Sequence, residues 1–145
     1  MSTPRAKELA TQWFQRVWQQ GSRDAIFELM SPNAVGFAEG GREIRGPEEF
    51  ACMHDQFFAA FPDLKLEVLH SVGDDKEASV HWKVSGTQQG VFGPVSATRE
   101  LVSFTGMTYL VMDDDGKILH GWDCWDQGTV IGSLASRAAE IAAVA

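Results

Sequence analysis

At Pro62 the hydrophobic period of this chain changes. Before Pro62, apolar residues recur every three or four positions; after it they alternate with polar ones. The first spacing marks one face of a helix and the second marks strands. A chain whose helices come mainly first and whose antiparallel strands follow fits an α+β domain with its N-terminal helices packed on one face of a mainly antiparallel sheet. Residues 1–145 read as a single domain, long enough to bury a core.

Thr3-Pro4 starts a helix over roughly residues 4–20, with a capping hydroxyl and then proline at the first helical position. Its stripe of Leu9, Trp13, Phe14, Val17 and Trp18 is wide enough to cover a sheet, and Gly21 ends it. A shorter helix from Arg23 to Met30 and two short strands near 35–38 and 42–45 follow. Gly46-Pro47-Glu48-Glu49 opens a third helix that carries Phe50, Met53, Phe57, Phe58 and Phe61, with His54 beside the stripe. Four antiparallel strands are expected around 64–68, 78–84, 101–112 and 117–126, then an alanine-rich helix over about 129–143.

The last hairpin carries the candidate site residues. A three-residue loop, Asp114-Asp115-Gly116, pairs Asp113 with Lys117 and sets Asp123 opposite Met107 and Gly121 opposite Tyr109. A two-residue loop would set Asp123 opposite Thr108 instead. On the first register Asp123 stands among Met107, Tyr109 and Trp125, where loss of water raises a carboxyl pKa. Asp123 is then either an acid/base or an acceptor satisfied by hydroxyl or backbone donors. Asp126 reads as the cap of the final helix, and Asp113–Asp115 as a solvated turn. His54 could reach the sheet as a base or orienter, or be a partly buried structural histidine.

The net charge of −8 argues against nucleic acid or an anionic membrane as partner. No window has the length and apolarity of a membrane span, and the N-terminus has no apolar signal core, so a cytoplasmic protein is expected. Cys52 and Cys124 need no disulfide, and Cys124 is expected to be buried between aromatics. His54, His70, His81 and His120 lack paired metal-ligand spacing, so no metal is expected. No phosphate-binding glycine loop or serine elbow occurs. Both faces of the last hairpin are apolar, so one face needs a cover besides the helices; a homodimer through the sheet would supply it.

The segments FFAAFPDLKLEV (57–68), VHWKVSGT (80–87), FTGMTYL (104–110) and DGKILHGWDCWD (115–126) resemble the SnoaL-like polyketide cyclases, or ester cyclases, in the same order along the chain. That resemblance implies a cone-shaped, cystatin-like α+β barrel, shared with nuclear transport factor and ketosteroid isomerase, whose curved sheet wraps a helix around a deep apolar pocket. It also implies cofactor-free intramolecular aldol closure of an aromatic polyketide ester, with one aspartate on the last strand as general acid/base. That aspartate falls on Asp123. The characterised cyclases carry a Gln and a His on the penultimate strand; the matching positions here are Met107 and Tyr109. The expected enzyme moves a proton next to a carbonyl in a small apolar or aromatic substrate. Met107, Trp125, Phe57 and Phe61 are the candidate pocket walls, and Tyr109 and His54 the candidate polar partners. The alternatives are epoxide opening or dehydration on the same fold, or a non-catalytic protein that binds a small molecule.

Overall fold

The computed structural model describes residues 2–144. Helix α1 (Arg5–Trp13) runs without a break into a π-helical segment, Phe14–Gln19. Pro4 precedes the first helical residue and no side chain caps α1, so the expected Thr3 cap is not made. Gly21, at φ 67°, lets the chain leave the segment in a left-handed turn. Helix α2 (Arg23–Leu29) is capped by the Ser22 hydroxyl, which accepts the Ala25 N–H. Strands β1 (Met30–Phe37) and β2 (Glu43–Arg45) flank a short 3₁₀ turn, Glu39–Gly41. Helix α3 (Gly46–Ala60) precedes β3 (Lys65–Gly73), β4 (Glu77–Thr87), β5 (Leu101–Met112) and β6 (Ile118–Trp125), and α4 (Gln127–Val144) closes the chain. Among the described residues no helix is long and apolar enough to cross a membrane.

The antiparallel run β3–β6 is extended by β1 and β2 into a six-stranded sheet of order β2-β1-β6-β5-β4-β3, in which β1 lies parallel to β6. The core lies between this sheet and the N-terminal helices. Leu9, Trp13, Phe14 and Val17 pack there with Val80, Trp82, Val84 and Leu110. This is the α+β architecture that the change of period at Pro62 implies.

The register of the last hairpin departs from expectation partway along. The turn forms as expected: the Asp113 N–H donates to the Lys117 carbonyl and Gly116 has φ 81°. Met112 pairs with Ile118, but Val111 then pairs with His120, leaving Leu119 as an extra residue on β6. This bulge shifts every later pair by one. Asp123 stands opposite Thr108, Gly121 opposite Leu110, and Met107 opposite Cys124. Met107 and Tyr109 therefore face outward, 55% and 37% exposed, and are not pocket residues. Cys124 is exposed on that face as well, contrary to the expected burial.

Candidate active site

A cavity of about 630 Å³ opens between the helices and the concave sheet face. Aromatic rings dominate its walls. Phe104 stacks on Trp125 with ring centroids 4.6 Å apart, and Phe57 and Phe92 flank the same indole at 6.2 and 6.4 Å. The backbone N–H of Trp125 donates to Glu39 Oε2 at 2.9 Å, tying the end of β6 to the turn after β1. Gly36 and Gly121, paired across β1 and β6, line the wall without side chains and so widen the cavity there.

The β5–β6 ladder brings two polar side chains to this surface, Thr108 and Asp123. They are a directly opposed pair, so their side chains share a face and lie close. The Thr108 hydroxyl donates to Asp123 Oδ1 at 2.6 Å. The Trp82 indole N–H donates to Thr108 Oγ1 at 2.9 Å. Trp82 reaches Thr108 by lying across Gly106, its partner on β5; a Cβ at Gly106 would come within 2.5 Å of the indole ring. Asp123 keeps some accessible surface because it faces the cavity, yet it lies deep beneath the protein exterior. Burial pushes its carboxyl up from 3.8 to about 6, and the Thr108 hydrogen bond opposes part of that rise.

The other expected site residues divide. Trp125 and Phe57 line the cavity. Phe61 does not: it is 1% exposed, packed behind the wall against Phe92 at 5.1 Å. His54 is buried and does not line the cavity, and its Nε2 donates to the Val17 carbonyl at 2.8 Å. A carbonyl only accepts, so Nε2 carries the proton. His54 thus satisfies an end of the π-helical segment and packs between Trp18 and Phe58. The Tyr109 hydroxyl donates to Glu77 at 2.8 Å on the outer face, which raises its pKa. Asp126 caps α4, accepting from the Thr129 N–H and hydroxyl at 3.0 and 2.7 Å. Among the described residues no three His, Cys, Asp or Glu side chains converge as a metal site.

Thr108, Trp82 and Gly106 escaped the sequence reading. The signal was present, because Trp82 sits in the inward set of an alternating strand and Thr108 is the partner of Asp123 on the shorter-loop register. Arg42, exposed where the cavity opens, also went unnoticed; among the described residues it has no ion-pair partner.

A family profile, SnoaL-like polyketide cyclase, matches residues 8–133. No curated protein matches the sequence. Among solved structures, a protein assigned as a SnoaL-like polyketide cyclase from Jannaschia sp. CCS1 superposes with TM-score 0.84 at 22% identity, covering 92% of this chain and 96% of its own. AclR of Streptomyces galilaeus, assigned as a hydroxylase, gives TM-score 0.77 at 25% identity over 90% of this chain and 81% of its own. IdmH of Streptomyces antibioticus, assigned as a polyketide cyclase, gives TM-score 0.75 at 21% identity over 90% and 98%.

Proposed function

We infer that this chain, which belongs to the SnoaL-like polyketide cyclase family, uses Asp123 as the single general acid/base of a proton transfer next to a carbonyl in an apolar, ring-bearing substrate. The observation that carries this reading is one carboxyl, lifted to about 6, facing an aromatic-walled cavity. A carboxyl with a pKa near the working pH is present in both forms and can take a proton and return it. In the ring closure that fits this site, ionised Asp123 removes a proton from the carbon next to a carbonyl. The resulting enolate carbon bonds to a second carbonyl carbon of the same molecule. The alkoxide formed there takes the proton back from Asp123, leaving a β-hydroxy carbonyl product and an ionised aspartate. The aromatic walls exclude water and hold a flat substrate; Asp123 supplies the proton chemistry.

The test uses a panel of aromatic ketones, including 1-tetralone, in deuterated buffer across pH 4–9, with proton NMR following exchange at the carbon beside the carbonyl. The expected result is exchange that rises with the ionised fraction of Asp123 and falls at least about 100-fold in Asp123→Asn. A ketone that shifts the Trp125 indole signal without any exchange would refute acid/base catalysis and leave a binding protein. A panel that neither binds nor exchanges would refute the substrate class.

The outer sheet face presents Met107, Tyr109 and Trp122, the last 40% exposed. Exposed apolar surface of this kind is a liability in a monomer, and it supports a homodimer packed through the sheet. Sedimentation at micromolar concentration reads this directly: a dimer that Trp122→Glu dissociates is expected, and a monomeric wild type would overturn it.

A further inference from the structure

We propose that Trp82 and Thr108 are positioning residues that engage one oxygen of Asp123 and leave the other, Oδ2, as the only atom through which the carboxyl exchanges protons with a substrate. The inference rests on the reading of Asp123 as the acid/base and adds which of its atoms reacts and what holds it.

The direction of each hydrogen bond is fixed by the donors present. An indole N–H can only donate, so the 2.9 Å bond from Trp82 Nε1 occupies a lone pair of Thr108 Oγ1. The single hydroxyl hydrogen of Thr108 is then free to point at Asp123 Oδ1, 2.6 Å away. Oδ1 is thus an engaged acceptor. Oδ2 has no protein hydrogen-bond partner among the described residues, and it is not among buried orphaned atoms, so it keeps accessible surface. Asp123 lines the cavity, and the cavity is where that surface opens. Trp82 is itself held: it is buried at 6% exposure, and its indole lies over Gly106, where any side chain would collide. The remaining titratable groups on the cavity wall, Glu39 and Arg42, are not among the causes of the Asp123 shift, so burial and the Thr108 hydrogen bond are its determinants.

The consequence is geometric. A proton taken from carbon and a proton returned to oxygen both pass through Oδ2. The two substrate atoms must therefore lie on one side of the substrate, within reach of a single point, and transfer occurs on one face.

The test is a carboxyl-carbon NMR titration of the full chain, with Asp123→Asn for assignment, together with the Trp82 indole N–H shift. Removing a hydrogen bond to the charged form raises a carboxyl pKa. Thr108→Val is expected to move the Asp123 midpoint upward by about one pH unit, Trp82→Phe by less, and Thr108→Ser hardly at all. In the wild type the Trp82 indole N–H signal should titrate with the Asp123 midpoint, a response that a merely structural threonine would not produce. An unmoved midpoint in Thr108→Val, or an indole signal flat from pH 4 to 9, overturns the relay. Should Thr108→Val fail to fold, the wild-type indole titration decides alone. A wild-type midpoint near 3.8 would instead refute the acid/base reading, while the indole signal still reports whether the relay exists.

Discussion

Replacing Asp123 by asparagine should make the protein more stable at neutral pH, by an amount that depends on pH in a defined way. The carboxyl is raised from 3.8 to about 6 in the folded chain. A raised carboxyl pKa means that the folded state prefers the neutral form. Its contribution is fully present below the unfolded value and is lost as pH rises through the folded value. The shift is about two pH units, and at 1.36 kcal/mol per unit the wild type loses about 3 kcal/mol between pH 3 and pH 7 from this group alone. Asparagine keeps the shape and can still accept from Thr108, but it does not titrate. The assay is urea denaturation of both proteins at half-unit pH steps, at one protein concentration. Their stability difference removes the contributions both share. These include Asp63, Asp74 and Asp126, held low by hydrogen bonds from Thr87, Glu77 and Thr129, whose stabilisation is lost as pH falls. The difference should swing by about 3 kcal/mol in favour of asparagine, centred near pH 5, midway between the unfolded and folded values, equivalent to about 6–12 °C in melting temperature. Parallel stability curves through pH 4–6 would refute the burial argument, because they would mean Asp123 is solvated in the folded chain.

Gly106→Ala places a methyl 2.5 Å from the Trp82 ring and 2.9 Å from the Cys124 carbonyl, so the indole must move off Thr108. A loss of about 2–3 kcal/mol is expected, read by urea midpoint, with a changed near-ultraviolet dichroism of tryptophan; an unperturbed spectrum would contradict the account. Gln88 is fully buried and ties the loop before β5: its amide donates to the Gly90 and Val95 carbonyls, and its carbonyl accepts from the Thr98 N–H and hydroxyl. Gln88→Ala leaves these groups unpaired, costs about 3 kcal/mol, and should speed Thr98 amide exchange well before that of the β5–β6 amides. Equal acceleration at both places would show that the loop has no independent dependence on Gln88.

What the sequence made legible follows from how local each determinant is. The change of period at Pro62, the left-handed glycine at Gly116 and the Asp126 cap are written within a few residues, and all three correspond to structure. The role of His54 is not local, because the carbonyl it satisfies lies 37 residues away at the end of a π-helical segment. The exposure of Cys124 was hidden for another reason. Both faces of β6 carry large apolar side chains, so alternation alone cannot say which face meets the helices. Thr108 and Trp82 were hidden by the register, which turn chemistry fixes only up to the Met112–Ile118 pair.

Beyond that pair, the single extra residue Leu119 decides what the strand does. Ile118 is buried at 6% exposure and faces inward with its partner Met112. Strict alternation from Ile118 would send His120, Trp122 and Cys124 inward and Asp123 outward, toward Met107 and Tyr109. One bulged residue reverses the sense of the strand, so Gly121, Asp123 and Trp125 turn to the cavity while Trp122 and Cys124 face out. The neighbouring strand is irregular at the same level, with a shift between Met30 and Val35 that spans Pro32, which has no N–H to give to a ladder. The bulge therefore reconciles two demands on a short strand: an apolar plug beside the turn at Ile118, and a carboxyl at the cavity five residues on. The feature on which the proposed chemistry depends is a backbone irregularity that coincides with one in the neighbouring strand, and the side-chain pattern of β6 carries no mark of it.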